Sequence, residues 1–258
     1  DTDVYKTTIS SYSQLTIKPK EAKSDTSTIR LKDEANNYTK KLTVIFIPYV
    51  VDIDGNTYTT IKIGSQEWMV ENLKTTRYRN GDAIPNVTAD GTWAALTTSA
   101  WCNYNNNAAN GAIYGKLYNW YAVVDSRNLA PAGWHIPTDA EWTELENYLI
   151  ANGYNYDGTT TGNKIAKSLA ATTNWSTNTG TGTIGNDLTK NNSSSFTALP
   201  GGNRPSFFGS IGGYGDWWSS TEYSTTKAWA RYLGYNGADL TRTDFNKYFG
   251  FSVRCIRD

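Results

Sequence analysis

Residues 134–153 read WHIPTDAEWTELENYLIANG. Thr138 and Glu141 stand in the T-x-x-E arrangement in which the threonine hydroxyl caps the N3 amide and the glutamate reaches back to the cap amide. Leu145, Tyr148 and Leu149 continue an apolar stripe at helical spacing, and Gly153 supplies the residue that ends it. This stretch therefore predicts a helix with firm ends, and the class of the fold turns on what flanks it.

Upstream, VVDIDGNTYTTIKIGSQEWMVENL (50–73) has strand texture broken at Asp54-Gly55 and Gly64-Ser65, two strong hairpin signals. Ile61 and Ile63 share one face of the middle strand. YGKLYNWYAVVD (114–125) predicts a short amphipathic helix through Leu117, Trp120, Tyr121 and Val124, and a weaker helix is expected in NKIAKSLAAT (163–172). Downstream, DWWSSTEY, KAWARYLGY and YFGFSVRCIRD read as three strands of a closing antiparallel meander. Between the helices and this meander, residues 173–195 are rich in Gly, Thr and Asn and predict a long surface loop, the kind of segment that carries function on a firm scaffold. The expectation for residues 51–258 is an α+β domain with two main helices and a twisted C-terminal antiparallel sheet.

Residues 1–50 differ. TISSYSQLTIKP, STIRLKD and KKLTVIFIPYVV are alternating or β-branched runs separated by polar turns, which predicts three strands. An immunoglobulin-type sandwich needs about seven, so this segment is expected to be part of such a module or to pack onto its neighbours.

Composition narrows the function classes. The 258 residues carry 24 basic and 24 acidic side chains, a net charge of zero, which removes the electrostatic basis for nucleic-acid binding. No apolar run approaches the ~20 residues of a membrane helix. The chain opens at Asp1 without an initiator Met or a signal peptide, as expected of a processed secreted protein or lipoprotein. Two cysteines, Cys102 and Cys255, could form one disulfide; closing a loop of that length is worth about 4–5 kcal/mol in the chain-entropy model, against the alternative of two buried thiols.

A catalytic inventory is thin. His135 is the one histidine and, between Trp134 and Ile136, reads as a structural group. No nucleophile elbow, phosphate loop or dinucleotide fingerprint is present, and the glycines of PGGNRPSFFGSIGGYG (200–215) read as turn residues. Glu141 and Glu144 could form a carboxylate pair, but Glu141 has a capping role. One His and two distant Cys cannot make a zinc site. The run Asp52-x-Asp54-Gly55-Asn56 resembles half of a calcium loop yet sits between strands, and a structural calcium is the one ion that the Asn and Asp content leaves open.

The remaining lead is aromatic. Ten Trp and 18 Tyr can fill a core or stack on sugar rings. Trp68, Trp120, Trp142 and Trp229 lie in regular elements and are expected inward, whereas the doublet Trp217-Trp218 sits in a strand and should turn one ring outward. With Asn203, Arg204, Tyr214 and Asp216 close in sequence, these two tryptophans form the candidate ligand site, with Phe207 beside them.

The succession DIDGNTYTTIKIGSQEWMVENLKT, YGKLYNWYAV, GWHIPTDAEW, FTALPGGNR, WWSSTE and GFSVRCIRD resembles the Fibrobacter succinogenes major paralogous domain, a module of bacterial surface proteins and lipoproteins. The resemblance covers residues 51–258; residues 1–50 lie outside it and look like the end of an immunoglobulin-like module. HIPTDAEW and the closing GFSVRC are also distantly similar to motifs of the formylglycine-generating enzymes, which implies a C-type-lectin-like fold. Their close catalytic cysteine pair has no counterpart here, and the sugar-chelating E-P-N, Q-P-D and W-N-D motifs of calcium lectins are missing. The resemblance implies a non-enzymatic binding or adhesion module of the outer cell surface. Its expected partners are glycans or cell-surface proteins, with no nucleic acid and no cofactor beyond the calcium just raised. The alternatives are an assembly subunit of a surface structure or an enzyme of the formylglycine-generating type.

Overall fold

A computed structural model of the protein describes residues 25–32, 38–46 and 49–258. Contacts divide the chain into two units, Asp1–Pro48 and Tyr49–Asp258. In the first, β1 (Asp25–Lys32) and β2 (Tyr38–Phe46) form an antiparallel pair with Thr28 opposite Thr43. The strand expected over residues 8–19 lies outside the described residues. The run KKLTVIFIPYVV (40–51), read above as one strand, is two. Its start belongs to β2 and its end is β3 (Tyr49–Val51) in the second unit, on either side of Pro48, which has no N–H to give a ladder.

The second unit begins with the two hairpins. β3 pairs with β4 (Thr57–Ile63) across the Asp54-Gly55 turn, and β4 with β5 (Gln66–Met69) across Gly64-Ser65. Gly55 (φ 84°) and Gly64 (φ 63°) take the left-handed conformation that these turns require. The Asp52 carboxylate is consumed locally. It accepts from the amides of Asp54 and Asn56, the Asn56 side chain and the Tyr58 hydroxyl at 2.6–3.0 Å, so this run is a side-chain-braced turn.

Short elements follow: α1 (Asp90–Ala94), β6 (Trp101–Cys102), α2 (Ala108–Tyr114), β7 (Leu117–Tyr118), α3 (Trp120–Val123) and β8 (Trp134–His135). The helix expected over 117–124 is therefore only one turn. Asn119 caps it by accepting from the Ala122 amide, and Val124 ends up exposed.

The long helix α4 (Asp139–Ala151) has the expected capping box: Thr138 Oγ1 accepts from the Glu141 amide at 3.2 Å, and the Thr138 amide donates to the Glu141 carboxylate at 2.7 Å. Trp142, Leu145 and Leu149 are buried, and Gly153 (φ 77°) follows the Asn152 cap. Tyr148 instead lies partly exposed over Gly64, where an added Cβ would come within 2.7 Å of its ring. His135 bridges the helix start to the chain end, its Nε2 2.8 Å from Glu141 and its Nδ1 2.7 Å from Asp258. Burial opposes its charge, but the two carboxylates outweigh it and hold the imidazole above its ordinary pKa.

After the one-turn α5 (Ala166–Leu169), the chain enters the meander of β9 (Tyr214–Glu222), β10 (Lys227–Gly234) and β11 (Thr241–Asn246). The third strand is thus TRTDFN, not YFGFSVRCIRD. An alternation of Thr, Asp and Arg on a half-exposed strand carries little hydrophobic signal, while the apolar run after it has another use. Residues 250–256 are all buried and end in β12 (Ile256–Arg257), which inserts between β5 and β8 in a five-stranded sheet of order β3-β4-β5-β12-β8. The result is an α+β unit with three antiparallel sheets, the third being the small β6-β7 pair.

β9 separates two cores. Trp217 packs on one side with Trp68, Trp142, Leu145 and Phe196, and Trp218 on the other with Tyr118, Phe251 and Val253. Successive strand residues do face opposite ways, but both faces of this strand are covered. Trp229, expected inward, is only half-buried. It lies on the surface of β10 between Tyr223 (centroids 4.8 Å apart) and the Arg242 guanidinium, 3.3 Å over its ring. Accordingly Trp217→Ala should destabilise the protein by about 3–5 kcal/mol and Trp229→Ala by about 1 kcal/mol or less. Urea denaturation of both variants checks this, and equal losses would show that the two-core assignment is wrong.

Candidate functional site

The residues singled out around the tryptophan doublet are brought together only in part. Asn203 Nδ2 donates to Asp216 Oδ2 at 3.1 Å, and Tyr214 lies two residues from Asp216 on the same strand face, its ring 5.9 Å from that of Tyr232. Arg204 turns away and is completely buried. Its guanidinium donates to the Val87 and Thr88 carbonyls and to Asp90 at 2.6–2.8 Å, and lies against the rings of Trp93 and Phe208. Trp217 and Trp218 are wholly buried, with their indole N–H groups spent on Asn72 Oδ1 and the Tyr118 carbonyl. Asp216 is 3% exposed. The two tryptophans, Arg204 and Asp216 therefore build the scaffold and offer no ring to a ligand, whereas Tyr214 is half-buried and Phe207 is exposed.

The two cysteines are likewise interior groups. Cys102 sits in a small cluster with Trp93, Ala100 and Leu117, and Cys255 in the main core beneath β5; both are free thiols, so the bridge considered from sequence is not made. Each side chain is held in a different packed cluster, and the loss of unfolded-chain entropy that a bridge would bring cannot act where the sulfurs do not meet. Burial pushes the Cys102 thiol up to about 11 despite Arg204 nearby, and raises Cys255 further. Neither is a thiolate near neutral pH.

The structure opens instead at the C-terminal end of α4, under the segment expected to be a loose surface loop. That segment is packed. Trp175 and Ile184 are buried, the Trp175 indole donates to the Ala198 carbonyl, and the Ile184 and Gly185 amides donate to the carbonyls of Gly237 and Tyr235. A few large apolar residues and main-chain bonds to the turn after β10 fix a stretch whose composition alone reads as unpacked.

Between this loop and the helix end lies a cleft of about 520 Å³, within the size range of ligand sites. Tyr154, Tyr156, Asn152, Asn186, Lys190 and Ser193 are among the residues that line it. Tyr156 is 41% exposed and rests one side of its ring on Gly182 (φ 76°), where a Cβ would fall 2.2 Å from the ring. The glycine is thus both a conformational and a steric requirement for this ring position. Lys190 pairs with Asp187 at 3.1 Å, and no carboxylate lines the cleft. A second cleft, of about 590 Å³, runs along the other side of the helix past Tyr148 and Glu144 and meets the first at Asn152.

At the floor, Lys167 of α5 is buried, and its ammonium lies 2.5 Å from the Asn186 carbonyl, 3.2 Å from that of Asp187, 3.3 Å from that of Thr183 and 3.5 Å from that of Ile184. Burial lowers its pKa, partly offset by the Asp187 charge.

With this geometry in view, comparison with known families matches residues 61–257 to the Fibrobacter succinogenes major domain. The chain belongs to this family. The match begins within β4, and so takes in most of the second unit, both clefts and the buried C-terminal segment of the Fibrobacter major domain. No curated protein and no solved structure matches the chain.

The tyrosines of the cleft carry no strand or helix periodicity, so their place in a site is not evident from the pattern of the sequence. The signal was present in GYNYDG (153–158), where two rings alternate with amide and acid between glycines just past a helix end. Rings in such a context have no strand neighbour to bury them.

Asp216 yields a measurable consequence. It has no basic partner among the described residues, and burial raises its carboxyl to about 7, with the Asn203 hydrogen bond opposing. An unfolded aspartate titrates near 3.9, so between about pH 4 and 7 the folded state holds the extra proton. Stability is then fully present below about pH 4 and declines as pH rises through 7. Asp216→Asn keeps an acceptor for Asn203 and removes the ionisation. It should match the wild type near pH 4 and exceed it by roughly 2–4 kcal/mol at pH 8. Denaturation curves across this range test it, and parallel pH profiles for the two proteins would exclude Asp216 as the source.

Proposed function

We propose that the protein is a non-enzymatic binding and adhesion module of the bacterial outer cell surface, with a C-type-lectin-like domain that takes a glycan in the cleft between α4 and the loop 173–195. One observation carries this reading. The cleft pairs the exposed Tyr156 ring, fixed on Gly182, with side-chain amides and hydroxyls around it, the combination that stacks on the apolar face of a sugar while bonding its hydroxyl rim. Membership of the Fibrobacter major domain supports the cell-surface setting through the surface-protein character of that family.

Two further features argue in the same direction. Both thiols are buried and protonated, which disfavours cysteine chemistry of the formylglycine-generating kind. His135 has both ring nitrogens engaged by carboxylates, which leaves it no free nitrogen for a substrate. Trp217 and Trp218 serve this function from within, as the packed support of the sheet.

A glycan array probed with the intact 258-residue protein, with calcium and with chelator, tests the reading. Binding that follows one sugar class and is lost in a folded Tyr156→Ala variant is the expected result. Silence across the array in both conditions would remove the glycan reading in favour of protein–protein adhesion or assembly.

A further inference from the structure

Four main-chain carbonyls, those of Thr183, Ile184, Asn186 and Asp187, converge on one point at the floor of the cleft. A ring of carbonyl oxygens drawn from a single loop is the donor set that proteins commonly offer to a hard cation. Here the cation is already part of the chain, since Lys167 carries its ammonium into the ring from the buried helix α5. An ammonium has three protons and no acceptor, so four carbonyls between 2.5 and 3.5 Å use all of its hydrogen-bonding capacity. The positive charge that lets these dipoles crowd together is therefore supplied covalently, and it is not available to a ligand.

The remaining groups of the cleft define what such a site can accept. The Lys190 charge is matched by Asp187, and no carboxylate lines the walls. Among the described residues, the hydroxyls of Tyr154, Tyr156, Thr181 and Ser193 take part in no hydrogen bond within the chain. A ligand thus meets hydroxyl and amide groups beside an aromatic face, with Lys190 held in its pair with Asp187 and the Lys167 ammonium turned into the carbonyl ring. An ionised sugar would have to draw Lys190 out of its pair with Asp187 or Lys167 out of its ring, whereas an uncharged polyol exchanges its bonds to water for bonds to the free hydroxyl and amide groups without disturbing either.

We infer that the cleft is a metal-independent site for a neutral oligosaccharide, in which Lys167 is a positioning residue that holds the loop by filling its carbonyl ring. The inference rests on the cleft being the glycan site proposed above, and it adds the charge of the sugar and the independence from calcium. The lysine acts through the backbone: it orders residues 183–187, and these in turn place Gly182 beneath the Tyr156 ring.

The test is calorimetric titration of the intact protein with neutral gluco-, manno- and galacto-oligosaccharides and, in parallel, with acidic oligogalacturonides, each in calcium and in EDTA. The expected result is binding of a neutral series with affinity unchanged within twofold by EDTA, weakened at least tenfold by Tyr156→Ala. Lys167→Ala should weaken it at least tenfold as well, with recovery on addition of n-butylammonium, which restores an ammonium to the ring, and no recovery with calcium. Preference for the acidic series, loss of binding in EDTA, or full affinity in Lys167→Ala would each overturn the inference while leaving a glycan site in place. Failure of every sugar to bind the folded wild type would overturn the underlying reading and this inference with it. Because the EDTA and Tyr156→Ala arms do not depend on the lysine variant, a Lys167→Ala protein that does not fold still leaves the outcome decided.

Discussion

The backbone of residues 250–256 is the constraint on which the second unit depends. In seven residues it exchanges hydrogen bonds with five separate parts of the chain. Gly250 pairs with Arg204, Phe251 with Tyr118, and Ser252 with Asp216 and Trp218; the carbonyls of Val253 and Cys255 accept from Leu73 and Met69. Every one of these residues is buried, so each peptide group left without its partner would meet no water. The contacts are also nearly all distant in sequence. The early hairpins, the β7 strand, the Arg204 turn and the meander therefore acquire fixed mutual positions only when the last few residues are in place. Gly250 fits this role because Trp93 and Arg204 approach so closely that a Cβ would come within 2.8 Å of the indole.

Around this segment the interior is more polar than its aromatic content suggests. Arg204, Arg231 and Arg254 are all completely buried. Arg231 and Arg242 converge on Asp139 at the first turn of α4, so the helix start is locked to β10 and β11 by charge as well as by its capping box. Arg254 donates to the carbonyls of Phe196 and Thr197 and to Asn72, the same amide that receives the Trp217 indole N–H. Taking three guanidiniums out of water is costly, and close bonding to carbonyls and carboxylates is what offsets it. Rings stack on these cations, Phe196 over Arg254 and Trp93 over Arg204, which explains where much of the aromatic surplus is used.

Legibility in the sequence followed the physics of each element. The α4 helix and the two hairpins are specified by near-neighbour chemistry, Thr138 with Glu141 and Gly55 and Gly64 in their turns, and these read correctly from the chain alone. β11 is not legible because a half-exposed strand needs no apolar alternation, and the buried C-terminal run reads as a strand because a fully buried segment looks the same whether it forms a ladder along its length or bonds residue by residue to different partners. The outward tryptophan failed for a related reason. Alternation places Trp217 and Trp218 on opposite faces, but only tertiary packing decides that both faces are covered. The tyrosine cleft lay in a stretch whose composition concealed its order, because Lys167 stabilises it from nineteen residues upstream of Asn186.

The order that Lys167 gives this loop bears on the proposed site. A loop of Gly, Thr and Asn has high conformational entropy when free, and a ligand that had to order it would lose affinity by that amount. Here the cost is met on folding: Ile184 and Trp175 are buried, backbone bonds tie the loop to the turn after β10 and to α5, and one ammonium neutralises the repulsion of four converging carbonyls. The surface presented at the cleft is then built of small polar groups on a fixed backbone, with Gly182 leaving room for the Tyr156 ring to lie flat. A site of this kind can vary its side chains while the stake beneath it stays the same, since every bond that Lys167 makes in the loop is to the main chain. In the proposed site, specificity would thereby rest on the side chains that face the cleft, while loop order rests on the carbonyls that face the lysine.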